Sequence, residues 1–178
     1  MFSSLDWNLV VTAHGGRRHD LIHALRPIVR LKRAGYSEVL TGRTDDVEAC
    51  LAAIAARADA TFRAEVLARV VPVARTFALA DDIDAQLVAE TASFVDALRG
   101  HTFHVRVERR GHRALVRSDD LERKIGTALV TALTARGESP RVTFDDPDLI
   151  VAVELIGAAG GIGLVARDLR TRFAFVRL

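Results

Sequence analysis

Between Arg106 and Arg117 the chain places five arginines, Arg106, Arg109, Arg110, Arg113 and Arg117, against one acid, Glu108. His112 adds another donor. A guanidinium presents a planar fork that gives two parallel hydrogen bonds to a phosphate, so this segment is suited to holding phosphate oxygens. It turns at Gly111 and runs into Ser118, which is expected to be the N-cap of a helix. Unpaired N–H groups and the positive end of the helix dipole attract anions at such a position. Asp119 and Asp120 lie in the same first turn and compete with an anion. Arg123 and Lys124 continue the positive charge along the helix, and Arg167, Arg170 and Arg172 form a second group. Arg17 and Arg18 follow Gly15-Gly16, another turn that leads into a helix. The candidate phosphate contacts are therefore Arg17, Arg18, Arg106, Arg109, Arg110, Arg113, Arg117, Ser118, Arg123, Lys124, Arg167 and Arg170.

Other chemistries find less support. Gly157-Ala-Ala-Gly-Gly-Ile-Gly163 follows a strand, as nucleotide-binding glycine loops do. Those loops need a following helix and a further parallel strand with an acid for the ribose. The residues after Gly163 read as strand and turn, which makes the segment a glycine-rich hairpin. His19 and His23 share a helix face with His14 one turn earlier, a spacing zinc sites use. No glutamate accompanies them in the hydrolase arrangement, so no metal site is expected. Asp145, Asp146 and Asp148 flank Pro147 as an Asx-Pro turn does. Cys50 is the only cysteine, which rules out an internal disulfide and a cysteine-rich zinc site. There is no Walker loop and no Ser-His-Asp pattern with motif support.

The composition frames these choices. Of 178 residues 49% are apolar and 27% charged, a balance that allows one large or two small buried cores. Net charge is +2, and Lys32 and Lys124 are the only lysines among 25 cations. That excess of arginine partly reflects the coding bias of GC-rich genomes. Aromatics make up 6%, so any nucleic-acid contact is expected to lean on charge and shape more than on base stacking. Leu9-Val10-Val11 is too short for a signal peptide, and the longest apolar run, from Leu149 to Gly163, is broken by Glu154. The expected location is the cytoplasm, away from any membrane.

The elements follow from hydrophobic period. Asn8 to Ala13 reads as a buried strand. Asp20 to Ala34 carries a helical spacing of apolar residues interrupted by Pro27, which should kink or break it. Glu38 to Thr41 reads as a short strand, and Thr44 or Asp45 caps a helix with Val47, Leu51 and Ile54 on its apolar face. Val66 to Phe77 reads as one strand whose Pro72 suggests an edge or a bulge. After that come a helix over Asp82 to Arg99 and an alternating strand over Thr102 to Glu108. A helix from Ser118 closes at Gly137, and strands follow over Val142–Phe144, Leu149–Ile156, Ile162–Val165 and Phe173–Leu178. The strand–helix–strand–helix–strand order of the first part predicts a small ferredoxin-like α+β unit.

Four ordered pieces carry a family resemblance. They are Phe103-His-Val-Arg-Val-Glu-Arg-Arg-Gly111, Ser118-Asp-Asp-Leu-Glu-Arg-Lys-Ile-Gly126, Val142-Thr-Phe-Asp-Asp-Pro-Asp-Leu-Ile-Val-Ala-Val-Glu154 and Ile162-Gly-Leu164. Their order and spacing resemble the THUMP domain, a module of tRNA-modifying enzymes. Asn8-Leu-Val-Val-Thr12 and Arg69-Val-Val-Pro-Val73 look like the ferredoxin-like domain that usually precedes it. Over its length the chain is similar to stand-alone THUMP proteins that act as tRNA-binding adaptors for a cytidine acetyltransferase. The resemblance implies an α+β chain with a ferredoxin-like domain over 1–79 and an α/β THUMP domain with a mixed sheet over 80–178. It also implies recognition of the acceptor stem and 3′ end of tRNA, with the tRNA presented to a modification enzyme acting in trans. Cytidine acetylation is the first candidate reaction. No catalytic residue, cofactor or metal is expected in the chain itself. Two other classes stay open: a small enzyme with an acid–base pair at His14, and a protein-interaction module.

Overall fold

A computed structural model describes residues 5–111 and 117–178, which form two compact units. One contains the chain up to Thr76 together with Asp168–Leu178, and the other runs from Phe77 to Arg167.

The first unit begins with β1 (Leu9–Ala13), α1 (Arg18–Leu25), β2 (Arg30–Arg33) and β3 (Val39–Arg43). It continues with α2 (Val47–Arg57), α3 (Ala60–Glu65) and β4 (Leu67–Pro72). Its sheet has the order β2-β3-β1-β4 with every neighbouring pair antiparallel. This is the βαββαβ arrangement of a ferredoxin-like fold, one strand richer than the sequence suggests. The extra strand comes out of the expected long helix. Pro27 has no N–H to continue the helical ladder, so α1 ends at Leu25 and Ile28 and Val29 turn back to the Leu25 carbonyl. Arg30–Arg33 then pairs with β3. Gly42 on β3 makes room for that pairing, since a Cβ there would lie 3.0 Å from Leu31 Cδ2.

Asp46, rather than Thr44 or Asp45, caps α2 by accepting from the Ala49 N–H at 2.9 Å. Thr44 is held instead by the buried Asn8 side chain, which bonds both its N–H and its carbonyl. The expected single strand over 66–77 is two strands. β4 ends at Pro72, and β5 (Arg75–Ala78) joins the other sheet. The last residues are not a strand of the second unit. After α6 (Arg167–Arg172), Phe173, Phe175 and Val176 are buried and Val176 bridges Val70 on the edge strand β4. Val70 N–H donates to the Phe175 carbonyl there, so the tail covers backbone groups that would otherwise face water.

The second unit adds α4 (Ile83–Thr91), a short 3₁₀ turn at Ala92–Phe94, β6 (Thr102–Arg110) and α5 (Ser118–Thr134). It closes with β7 (Arg141–Val142), β8 (Leu149–Ile156) and β9 (Ala159–Ala166). The sheet order is β5-β9-β8-β6-β7, with β6 parallel to β7 and β8, and β8 antiparallel to β9. A parallel pair needs a long crossover, which α5 supplies. Leu121, Ile125, Leu129 and Leu133 recur every four residues along α5 and bury one stripe against Phe103, Val105 and Val107 of β6. The glycine-rich segment is a hairpin, with Gly157 at φ +57° in the first turn position as a type II′ turn requires. Among the described residues no helix is long and apolar enough to cross a membrane.

Gly160 on β9 is required by close packing. A Cβ there would lie 2.3 Å from Phe77 Cε2 and 2.7 Å from Phe77 Cζ. We expect Gly160→Ala to push the ring aside and cost about 1–3 kcal/mol, read as a lower urea midpoint with an unchanged slope. Phe77→Leu in the Gly160→Ala background is expected to recover part of that loss.

Candidate nucleic-acid interface

Strand β6 pairs with β8 from Phe103 to Arg110, whereas β7 pairs only with Thr102 and Phe103. Among the described residues no strand covers that edge of β6 beyond Phe103. Helix α5 runs beside the open edge, and Glu122 Oε1 accepts the Val107 N–H at 2.8 Å in place of a strand partner. An open edge beside a helix makes a groove with two ends. Around the N-terminus of α5 lies a polar cleft of about 450 Å³ bounded by Arg106, Arg109, Ser118, Asp119 and Glu122. Nearer β7 lies a cavity of about 420 Å³ lined by Phe103, Val105, Val130, Val142 and Phe144 among others. Both are bounded by Asp119 and Glu122.

The candidate cations divide by what already holds them. At the polar end Arg109 Nε donates to Ser118 Oγ at 2.7 Å. Arg117, rather than Ser118, occupies the cap position of α5, with no side-chain cap bond. Ser118 is therefore an acceptor for Arg109 in the first helical turn. Arg106 stands 3.9 Å from Glu122, and Arg117 stands 3.9 Å from Asp119. The Arg117–Asp119 pair is exposed on both sides and weak. Glu122 is 19% exposed and held by the Val107 N–H, so at 3.9 Å Arg106 keeps its guanidinium free to turn toward a phosphate. Arg123 is also exposed and pairs with Asp120 at 2.6 Å.

Arg110 is different. Its side chain is 11% exposed and forms an ion pair with Glu154, which is 1% exposed on β8. It ties two parallel strands together from inside. Arg113 lies outside the described residues. Lys124 is bound to Asp84 on α4, and that hydrogen bond raises the ammonium pKa. Arg167 spans Asp146 at 2.9 Å and Asp148 at 2.8 Å. The Asp148 carboxyl is lowered below its usual range mainly by the Thr102 backbone N–H and hydroxyl, with Arg167 and His101 adding to the effect. The Asp145–Asp148 turn is thus a clasp that starts β6 and β8 in register.

Arg170 is half-buried in α6, and so belongs to the first unit with Arg17 and Arg18. Arg17 pairs with Asp20 at 3.0 Å, and Arg18 is half-buried. In the same unit the edge strand β2 carries Arg30, Lys32 and Arg33, which a reading of 20–34 as helix hides. Two of the three histidines of the first unit's group bond locally: His14 Nε2 donates to the Arg63 carbonyl, and His19 Nε2 accepts from Arg33. Among the described residues no three His, Cys, Asp or Glu side chains are grouped to hold a metal. Cys50 is buried in α2, which raises its thiol pKa.

Sequence reasoning missed the aromatic end of the groove. Phe144 is 80% exposed and stacks on His104, with ring centroids 5.3 Å apart and 27° between planes. His104 Nδ1 donates to the Thr143 carbonyl at 3.0 Å and fixes that ring. Val142-Thr-Phe144 read as strand, and a strand reading assigns the phenylalanine to a core. The signal available was the turn chemistry of Asp145-Asp-Pro147 immediately after it.

A ferredoxin-like unit followed by a unit with a mixed sheet and a β6–α5–β8 crossover defines the class of this protein as α+β. Residues 78–165 match the family model of the THUMP domain, and the chain carries that domain there. THUMP is an RNA-binding module associated with tRNA. Three solved structures are similar in fold. TrmN from Thermus thermophilus has a TM-score of 0.62 and 19% identity over 88% of this chain and 44% of its own. A possible methylase from Clostridium difficile 630 has a TM-score of 0.59 and 14% identity, covering 89% and 40%. PH1313 from Pyrococcus horikoshii Ot3 has a TM-score of 0.54 and 13% identity, covering 89% and 54%. This chain thus spans about half or less of the length of these proteins. No match is found among curated proteins.

The two kinds of arginine separate in a stability measurement. Arg110→Ala leaves Glu154 buried without that cation and is expected to cost about 3–5 kcal/mol in urea unfolding. Arg106→Ala removes an exposed guanidinium whose one close carboxylate lies 3.9 Å away, and should cost no more than about 1 kcal/mol.

Proposed function

We propose that this chain binds tRNA at its acceptor stem and 3′ end and presents it to a modification enzyme acting in trans. The observation that carries the reading is the polar cleft where β6 and α5 meet, inside a THUMP domain. Arg106 and Arg109 line it beside the start of a 17-residue helix, and Arg117 holds that helix's cap position. Helix N–H groups and the dipole add to the guanidinium charge at that place. Asp119 and Asp120 oppose an anion, but each has an arginine beside it, at 3.9 Å from Arg117 and 2.6 Å from Arg123 respectively. Arg106, Arg109, Arg117, Ser118 and Arg123 are the residues we assign to RNA. Arg17, Arg18, Arg167 and Arg170 are secondary contacts, and Arg110 and Lys124 support the scaffold. In this reading the chain supplies no catalytic group. Cytidine acetylation is the first candidate for the reaction served, on the resemblance to stand-alone THUMP adaptors, with methylation or thiolation the others.

The test is tRNA binding across a salt series. Each phosphate contact adds roughly 0.7 to the log–log slope on single strands and 0.9 on duplex. We expect the double variant Arg106→Ala/Arg109→Ala to weaken binding and flatten that slope by about 1.5. An unchanged slope and affinity would remove the cleft from the RNA path.

A further inference from the structure

The apolar end of the groove is unexplained by phosphate binding. Arginines and a helix N-terminus hold a backbone, yet the second cavity is walled by Phe103, Val105, Val130 and Val142 and capped by an almost wholly exposed phenylalanine. In a chain with 6% aromatic residues, the only large aromatic exposed to this degree among the described residues is Phe144. It is not loose: its ring stacks on His104, and His104 is in turn anchored to the Thr143 carbonyl. A planar ring stacked on one side and open on the other is a platform for a second planar group.

We propose that the His104–Phe144 stack is a base-stacking site, and that an unpaired nucleotide of a single-stranded RNA end lies with its base on Phe144. The proposal rests on the RNA reading of the polar cleft and deepens it. Both cavities border Asp119 and Glu122, so a strand whose phosphates meet Arg106 and Arg109 can continue along the open edge of β6 toward β7. Single-strand sites combine a cationic groove with aromatic platforms in this way. Bases inside a duplex cannot use the platform, because they are already stacked on both faces and paired. The carboxylates between the two ends work in the same direction. Glu122 borders both ends and is tied to the Val107 N–H, and only at the polar end do Arg106 and Arg109 stand beside it to offset its charge for a phosphate. An apolar side chain of a partner protein is the competing occupant. The cationic end of the same groove favours the nucleotide.

The experiment compares two RNA hairpins that differ only in a single-stranded 3′ extension. Wild type, Phe144→Ala, Phe144→Leu and Arg106→Ala/Arg109→Ala are titrated with each, after thermal melts establish that all are folded. Phe144→Ala is expected to weaken binding of the extended hairpin about tenfold and to leave the blunt one unchanged. Phe144→Leu keeps the apolar surface without the aromatic face and should lose nearly as much. In Phe144→Trp the extended RNA alone should quench the new tryptophan, while the buried Trp7 supplies a constant background. Unchanged binding in Phe144→Ala without quenching in Phe144→Trp overturns the stacking site and leaves that end of the groove to a protein. The RNA reading survives that result if both hairpins bind wild type and the arginine variant weakens both. If wild type binds neither hairpin, both readings fall together.

Discussion

The second unit depends on a mismatch between the two neighbours of one strand. β6 forms eight consecutive parallel pairs with β8 on one side and two with β7 on the other. Parallel pairing forces a crossover, and the crossover helix α5 must return over the sheet to bury its leucine and isoleucine stripe. Because β7 is only two residues long, that helix runs beside unprotected strand edge. An edge of this kind invites unwanted pairing unless something occupies it. Glu122 fills one position from the helix, and the rest is the groove. The feature that shapes the candidate site is therefore a consequence of strand length, and the side chains were placed into a cleft the topology had already opened.

Charge counting alone misjudges such a site. Most of the candidate cations are already paired, and the environment of each pair decides what it can do. An exposed pair such as Arg117 with Asp119 contributes about 0–1 kcal/mol, so exchanging carboxylate for phosphate is inexpensive there. The Arg110–Glu154 pair lies inside the sheet, where losing either partner removes the opposing charge from a buried group. Two adjacent arginines, Arg109 and Arg110, are thus assigned opposite tasks. Strand alternation separates them: successive residues of β6 face opposite sides, Arg109 toward Ser118 of α5 and Arg110 toward Glu154 of β8.

Much of this architecture was legible beforehand, because the strongest signals were periodic. The alternation of Phe103, Val105 and Val107, the four-residue stripe of α5 and the glycine-rich hairpin all stand as read. The failures cluster where a local signal lost to its neighbours. Pro27 stopped a helix whose apolar period continued past it, so Arg30–Arg33 was hidden as strand. Ser118 has good capping chemistry, yet its oxygen is used by Arg109. Phe173, Phe175 and Val176 look like a strand of the nearer sheet but seal the edge of β4, a pairing across about 100 residues that no local pattern encodes. Phe144 escaped for a related reason. Hydrophobicity predicts burial, and an exposed aromatic stacked on a histidine is visible only once both backbones are placed.

The most direct test of the account is amide hydrogen exchange in the presence and absence of tRNA. The open edge of β6, over residues 104–110, and the first turns of α5, over residues 118–126, should slow markedly when tRNA is added. The β8–β9 hairpin, paired along its length already, should not change. Slowing confined to other segments, or none at all at saturating tRNA, would contradict the claim that this groove is where RNA binds.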